Sequence, residues 1–285
     1  MSRSVLRAIC TITILLITLA GFFYYFSSHA AVRDQLRQTS AATLATLFVL
    51  YLGVIVALSL VTMTTLRLCR VTLRPAETGL LTMYTTVINF FGPLQSGPAF
   101  RGLYLKRKHG LNIKRYAAAT LVFYMLYAFI SGIFLLSSIA GWWLAVIGVV
   151  LAFVGFAVRD WKALKRFEAL DLTAVYALGL ATLLQVVVVA IIYFVELHSI
   201  DHSVRLSQAI VYAGAANFSL FVSITPGAIG FRESFLLFSQ RLHHISSDTI
   251  IAANILDRAM YIVLLAVVGI IILVTHSKQR LQNDT

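Results

Sequence analysis

Two arginines, Arg101 and Arg232, sit in otherwise apolar surroundings, and each follows an interruption rich in proline and glycine. Asn89, Pro93, Gly97 and Arg101 recur every four residues, and Asn217, Pro226, Gly227, Gly230 and Arg232, with Glu233 beside it, echo that order. Proline and glycine break a helix and free its backbone groups. A helix that restarts after the break aims unpaired N–H groups and the positive end of its dipole at the gap, which suits an anion. An arginine in that first turn adds a planar, two-pronged phosphate partner. The chemistry implied is anion binding, with a phosphate-bearing lipid head group as the simplest ligand. On the last apolar run Asn254, Asp257, Arg258 and Tyr261 share one helical face at i, i+3, i+4 and i+7. A charge at the centre of a membrane helix costs about 2.5–3.5 kcal/mol, so Asp257 and Arg258 must be paired or face water. Pairing of Arg232 with Glu233 or with an acid on this last run would close the second interruption without a ligand, and the two roles are compatible.

The elements that position these residues follow from composition. The chain has 285 residues, 60% hydrophobic and 12% charged, against roughly 25% charged in a soluble domain. Apolar runs at about 8–26, 43–63, 116–138, 141–158, 174–195 and 250–274 contain no proline. Each is long enough to cross a hydrocarbon core of about 30 Å as a helix, and none alternates as a barrel strand does. The expectation is an all-α integral membrane protein, a single transmembrane domain over 1–285. The first run resembles a signal peptide but is too long for one, and reads as a membrane helix.

The interrupted regions, about 79–108 and 209–242, either cross the membrane or turn back within it. If both cross, 8 of the 23 Lys and Arg fall on the inner side; if both turn back, 17 do. The positive-inside rule favours turning back, giving six full transmembrane helices plus two re-entrant broken helices, with both termini cytoplasmic. Runs beginning near 8, 43 and 116 recur near 141, 174 and 250, a repeat of about 132 residues. Three crossings per repeat make the halves, about 1–139 and 140–285, inverted relative to each other. Inverted repeats with broken helices at mid-membrane are a recurring transporter design.

The pattern Asn89-Pro93-Gly97-Arg101, the stretch PGAIGFRE at 226–233 and LDR at 256–258 resemble the bacterial family containing the transmembrane flippase region of lysylphosphatidylglycerol synthase. That resemblance covers essentially the whole chain. It implies a multi-pass bacterial inner-membrane protein that moves a phospholipid or a polyprenyl-linked lipid between leaflets. The chain departs from the family pattern at Pro98, where the family usually has Glu, and at Phe123, Tyr124 and Tyr127, where it has a Glu-Arg pair and then Asp. Only about ten residues follow the last run, so lysyl transfer by a soluble domain is not expected.

Other chemistry is sparse. Glu196, His198, Asp201 and His202 are ligating types, but an outer loop of this kind reads as a solvated cap, so no metal or other cofactor is expected. The basic run at 106–115 suits anionic head groups on the cytoplasmic face. The net charge of +12 is spread over short loops, which argues for membrane lipids rather than nucleic acid as partner. Cys10 and Cys69 fall near the reducing face, so no disulfide is expected. No nucleotide or hydrolase motif occurs, and no enzymatic activity is expected. Two other classes stay open: a non-catalytic partner or regulator of an envelope lipid or polysaccharide synthesis complex, or a membrane glycosyl- or lipid-transfer enzyme. Envelope-biosynthesis proteins and a second copy of the chain are the protein partners such roles would involve.

Overall fold

The computed structural model describes residues 39–92, 96–140, 172–222, 228 and 231–283. The runs expected at about 8–26 and 141–158, together with Pro93, Pro226, Gly227 and Gly230, lie outside the described residues. Within them the chain forms helices α1 (Ala41–Leu68), α2 (Pro75–Phe91), α3 (Ser96–His109), α4 (Ile113–Ala140), α5 (Leu172–Ile200), α6 (Leu206–Val222), α7 (Phe231–Phe238), α8 (Gln240–His243) and α9 (Ser247–Asn283). Four of these, α1, α4, α5 and α9, are long and apolar enough to cross a membrane. At 28 residues, α1 is about 42 Å long, more than a hydrocarbon core of about 30 Å requires.

Sequence accounts for where the shorter helices start and stop. Pro75 opens α2, where a missing N–H is harmless, and the chain leaves the helix at Gly92. α3 then runs back along α2: Asn89 meets Gly97 at one end and Glu77 meets Lys108 at the other. The second interruption does the same, since Gln208 at the start of α6 donates to the carbonyls of His243 and His244 at the end of α8. Both interrupted regions are therefore helical hairpins. The order long helix, hairpin, long helix occurs twice among the described elements.

Burial runs opposite to that of a soluble protein. Val49, Val56, Leu121, Met125, Ile270 and Leu273 point outwards, whereas Arg232, Asn254, Asp257 and Arg258 are buried. Apolar side chains facing outward and polar ones paired inside fit a hydrocarbon solvent. α1 and α5 pack antiparallel, with Tyr51 against Glu196 and Val61 in a cluster with Leu178 and Ala181. α4 and α6 touch at the backbone. A Cβ on Gly214 would lie 2.2 Å from the Leu135 nitrogen and 2.8 Å from the Phe134 carbonyl carbon, so only glycine fits that crossing.

Candidate functional site

The first hairpin is built from residues that satisfy its own broken ends. Asn89 Oδ1 accepts a hydrogen bond from the Gly97 N–H at 2.9 Å, and Ser96 Oγ donates to the Ile88 carbonyl at 3.3 Å. These contacts occupy groups that helix ends leave unpaired, so Asn89 seals the turn. Gly97 is required there: a Cβ would fall 2.7 Å from the Thr85 carbonyl oxygen. Pro98 sits in the first turn of α3, where proline is tolerated, and its carbonyl accepts from the Tyr116 hydroxyl. At the open end, Glu77 Oε1 accepts from Lys108 Nζ and Tyr104 Oη and meets His109 Nε2, each at 2.9 Å. The Lys108 hydrogen bond, with those of His109 and Tyr104, holds the Glu77 carboxyl down at about 2.

Arg101 projects from α3 across to α1, where its guanidinium donates to Thr62 Oγ1 at 2.6 Å. Its Nε is buried with no hydrogen-bond partner, and no carboxylate lies within ion-pairing distance among the described residues. Arg232, its counterpart on α7, is placed differently. It is ion-paired with Asp257, donates to Asn254 Oδ1 at 2.8 Å and lies 3.3 Å from the Tyr193 hydroxyl. Arg258 donates to Glu233 Oε1 at 2.9 Å. Asn254, Asp257 and Arg258 of α9 thus dock on the start of α7, two cations against two anions, while Tyr261 on the same face packs against Tyr51 and Phe90. Arg232 uses Asp257 in preference to its neighbour Glu233, which stands 4.0 Å from its Nε.

The two hairpins open into one cavity of roughly 290 Å³. Its wall takes Asn89, Gly97 and Arg101 from the first and Asn217 and Arg232 from the second, with Asp257 and Arg258 from α9. Residues from both interruptions therefore face one shared chamber. The arginines of the two hairpins are unequal, because Arg232 has the Asp257 carboxylate and Arg101 has none among the described residues. Asn217 Nδ2 is buried without a partner among the described residues, as are the Nε groups of Arg101 and Arg232 at the same chamber. Thr62, Thr82, Thr85 and Thr86 complete one wall. Their hydroxyls donate to carbonyls three or four residues back in their own helices, which leaves their oxygens as acceptors. Phe123, Tyr124 and Tyr127, the positions that depart from the family pattern, form an aromatic wall. Of the second interruption, Ala228 is described: it lines the cavity with φ 58°, a left-handed conformation that costs a residue with a Cβ about 1–2 kcal/mol.

One expectation is overturned. Glu196 does not belong to an outer loop: α5 continues to Ile200, and Glu196 is 0% exposed. Its Oε1 lies 3.2 Å from the Tyr51 hydroxyl, which also contacts Asp257 Oδ1 at 2.5 Å. Glu196 is therefore turned away from the residues that were to share a loop with it. His198 and His202 bond to backbone carbonyls, and Asp201 receives Ser203; the Ser203 hydrogen bonds hold the Asp201 carboxyl below its ordinary value. No group of three His, Cys, Asp or Glu able to hold a metal occurs among the described residues.

Sequence reasoning also missed Tyr51, Thr62, Gln185 and Tyr193. A signal existed: Gln185, Val189, Ile192 and Tyr193 line the cavity, and residues 185, 189, 192, 193 and 196 fall on one helical face.

Comparison with curated proteins gives no match. The family model for the lysylphosphatidylglycerol synthase TM region matches residues 10–269, nearly the whole chain, and the protein belongs to that family of membrane domains linked to lipid handling.

Proposed function

We propose that this protein transports an anionic lipid, holding the head-group phosphate in the shared cavity against Arg101. The observation that carries this reading is a guanidinium with a buried, unpartnered Nε at a chamber wall, with no carboxylate beside it among the described residues. Asn217 Nδ2 supplies a second donor. The threonine wall offers acceptors for head-group hydroxyls or an ammonium. At roughly 290 Å³ the chamber lies near the lower end of small-molecule pockets, about 300–1,000 Å³, so it suits a head group while acyl or polyprenyl chains stay in the bilayer. Asn89 and Gly97 shape the first break, and Arg232, Glu233, Asp257 and Arg258 form the ionic floor.

In this reading the hairpins are re-entrant, entering from opposite faces of a bacterial inner membrane in two inverted repeats. The doubled order of elements and the antiparallel α1–α5 packing support that arrangement. The protein acts as a flippase without chemical turnover of its lipid. The test is reconstitution into vesicles with fluorescent phosphatidylglycerol in one arm and a fluorescent polyprenyl phosphate in the other. Translocation of one or both, lost in Arg101→Ala, is the expected result. Full activity in Arg101→Ala, or none in the parent with either lipid, removes the reading.

A further inference from the structure

Glu196 stands behind the anion chamber rather than in its wall, and the hydrogens around it can be counted. The Tyr51 hydroxyl carries one hydrogen and approaches Asp257 Oδ1 at 2.5 Å, Glu196 Oε1 at 3.2 Å and the Asp257 carbonyl at 3.3 Å. Asp257 is the ion-paired carboxylate of Arg232, and the nearest and most strongly accepting of the three, so the hydrogen points there. The remaining contact, between Tyr51 Oη and Glu196 Oε1, then needs a hydrogen from Glu196. Its other oxygen, Oε2, has no partner, and no Lys, Arg or His lies within ion-pairing distance of it among the described residues. A buried carboxylate in such a place would be a charge without solvent or counterion. The ionic floor agrees, since Arg232 and Arg258 already face Asp257 and Glu233. The groups facing Glu196 are Tyr51 on α1, Asp257 on α9 and Arg232 on α7, with Tyr193 on its own helix and Tyr212 on α6 in the same buried layer.

We propose that Glu196, Tyr51 and Asp257 form a proton-binding relay, so that an anion entering the chamber is taken up together with one proton. This rests on the anion-site reading above. As an anion reaches Arg232, the Tyr51 O–H bond breaks and its proton bonds to Asp257 Oδ1. The Glu196 O–H bond breaks and its proton bonds to Tyr51 Oη. The negative charge has moved from Asp257 to Glu196, and Arg232, released from its counterion, turns its charge on the ligand. A proton from water then restores the Glu196 acid, so one anion and one proton have entered and the interior charge is unchanged.

The experiment uses the full chain in lipid nanodiscs and short-chain phosphatidylglycerol, whose phosphodiester keeps a single charge across the pH range. Infrared spectra at neutral pH should show a protonated carboxyl band in the parent and not in Glu196→Gln. Binding should tighten by up to about tenfold for each unit fall in pH, the slope of one linked proton, with proton uptake seen by an indicator dye. Tyr51→Phe, which keeps both acids and removes the bridging hydroxyl, should bind with a flat pH profile, as should Glu196→Gln. A parent lacking the carboxyl band, or binding without proton uptake, overturns the relay alone. So does the parent slope persisting in both variants. A parent that binds no phosphatidylglycerol at any pH removes the anion site and the coupling together, even if the carboxyl band is present.

Discussion

Arg101 and Arg232 hold corresponding positions in the two hairpins but should respond very differently to removal. Arg232→Ala leaves Asp257 buried without the guanidinium it is paired with, and breaking a buried pair from one side costs about 3–5 kcal/mol. Asn254 Oδ1 also loses its donor. Arg101→Ala loses one charge-assisted hydrogen bond to Thr62, at most about 1.5–3 kcal/mol. Removing a cation that has no carboxylate beside it offsets part of that loss. Arg232→Ala should therefore destabilise the protein more than Arg101→Ala by about 2 kcal/mol, measured by reversible unfolding in mixed micelles. The double variant Arg232→Ala/Asp257→Ala should regain part of the loss, because it deletes the stranded charge along with its partner. Lipid translocation should nevertheless be abolished in Arg101→Ala, the less destabilised of the two. Equal stability losses at the two arginines, or a double variant no better than Arg232→Ala, would refute the asymmetry.

Gly214→Ala forces a methyl group against the backbone of α4, 2.2 Å from the Leu135 nitrogen; a loss of about 1–3 kcal/mol or more, or failure to accumulate folded protein, is expected, and unchanged thermal stability would contradict the close crossing. Glu77 closes the mouth of the first hairpin, and because its carboxyl is depressed to about 2, the stabilisation is complete above the ordinary glutamate value of about 4.5 and lost as pH falls from there through about 2. Hydrogen exchange across 75–109 should rise over that window in the parent and be raised at neutral pH already in Glu77→Gln. Burial pushes the Cys69 thiol up to about 11, so it should react slowly with water-soluble maleimide at neutral pH. A cysteine introduced at the cavity wall by Ala228→Cys should label faster than Cys69.

Four of the apolar runs and the two interrupted segments were legible because helices in lipid advertise themselves by length and by the cost of interrupting them. The shared face of Asn254, Asp257, Arg258 and Tyr261 was legible for the same geometric reason. The identity of the pairs was not: sequence offers Arg232 both Glu233 and Asp257, and only the docking of α9 on α7 decides. Glu196 was misplaced because it is followed by His198, Ser199, Asp201 and His202, which look like solvated loop. The helix carries on past it, and its register turns that side chain inward, with Leu197 buried beside it. Asn89 and Asn217 were given one role by analogy of position, yet Asn89 seals its own turn whereas Asn217 Nδ2 has no partner among the described residues.

The crossing at Gly214 joins α4, from the first sequence half, to α6, from the second, with no side-chain layer between them. A seam of that kind resists sliding, because backbone atoms in contact have no rotamers with which to adjust. The seam therefore ties α6 of the second hairpin to α4 although they come from opposite halves of the chain. If the chamber opens to admit a head group, the movement is taken up away from that seam, for example where Arg101 of α3 reaches Thr62 of α1, and the moving unit then mixes elements from both halves of the sequence.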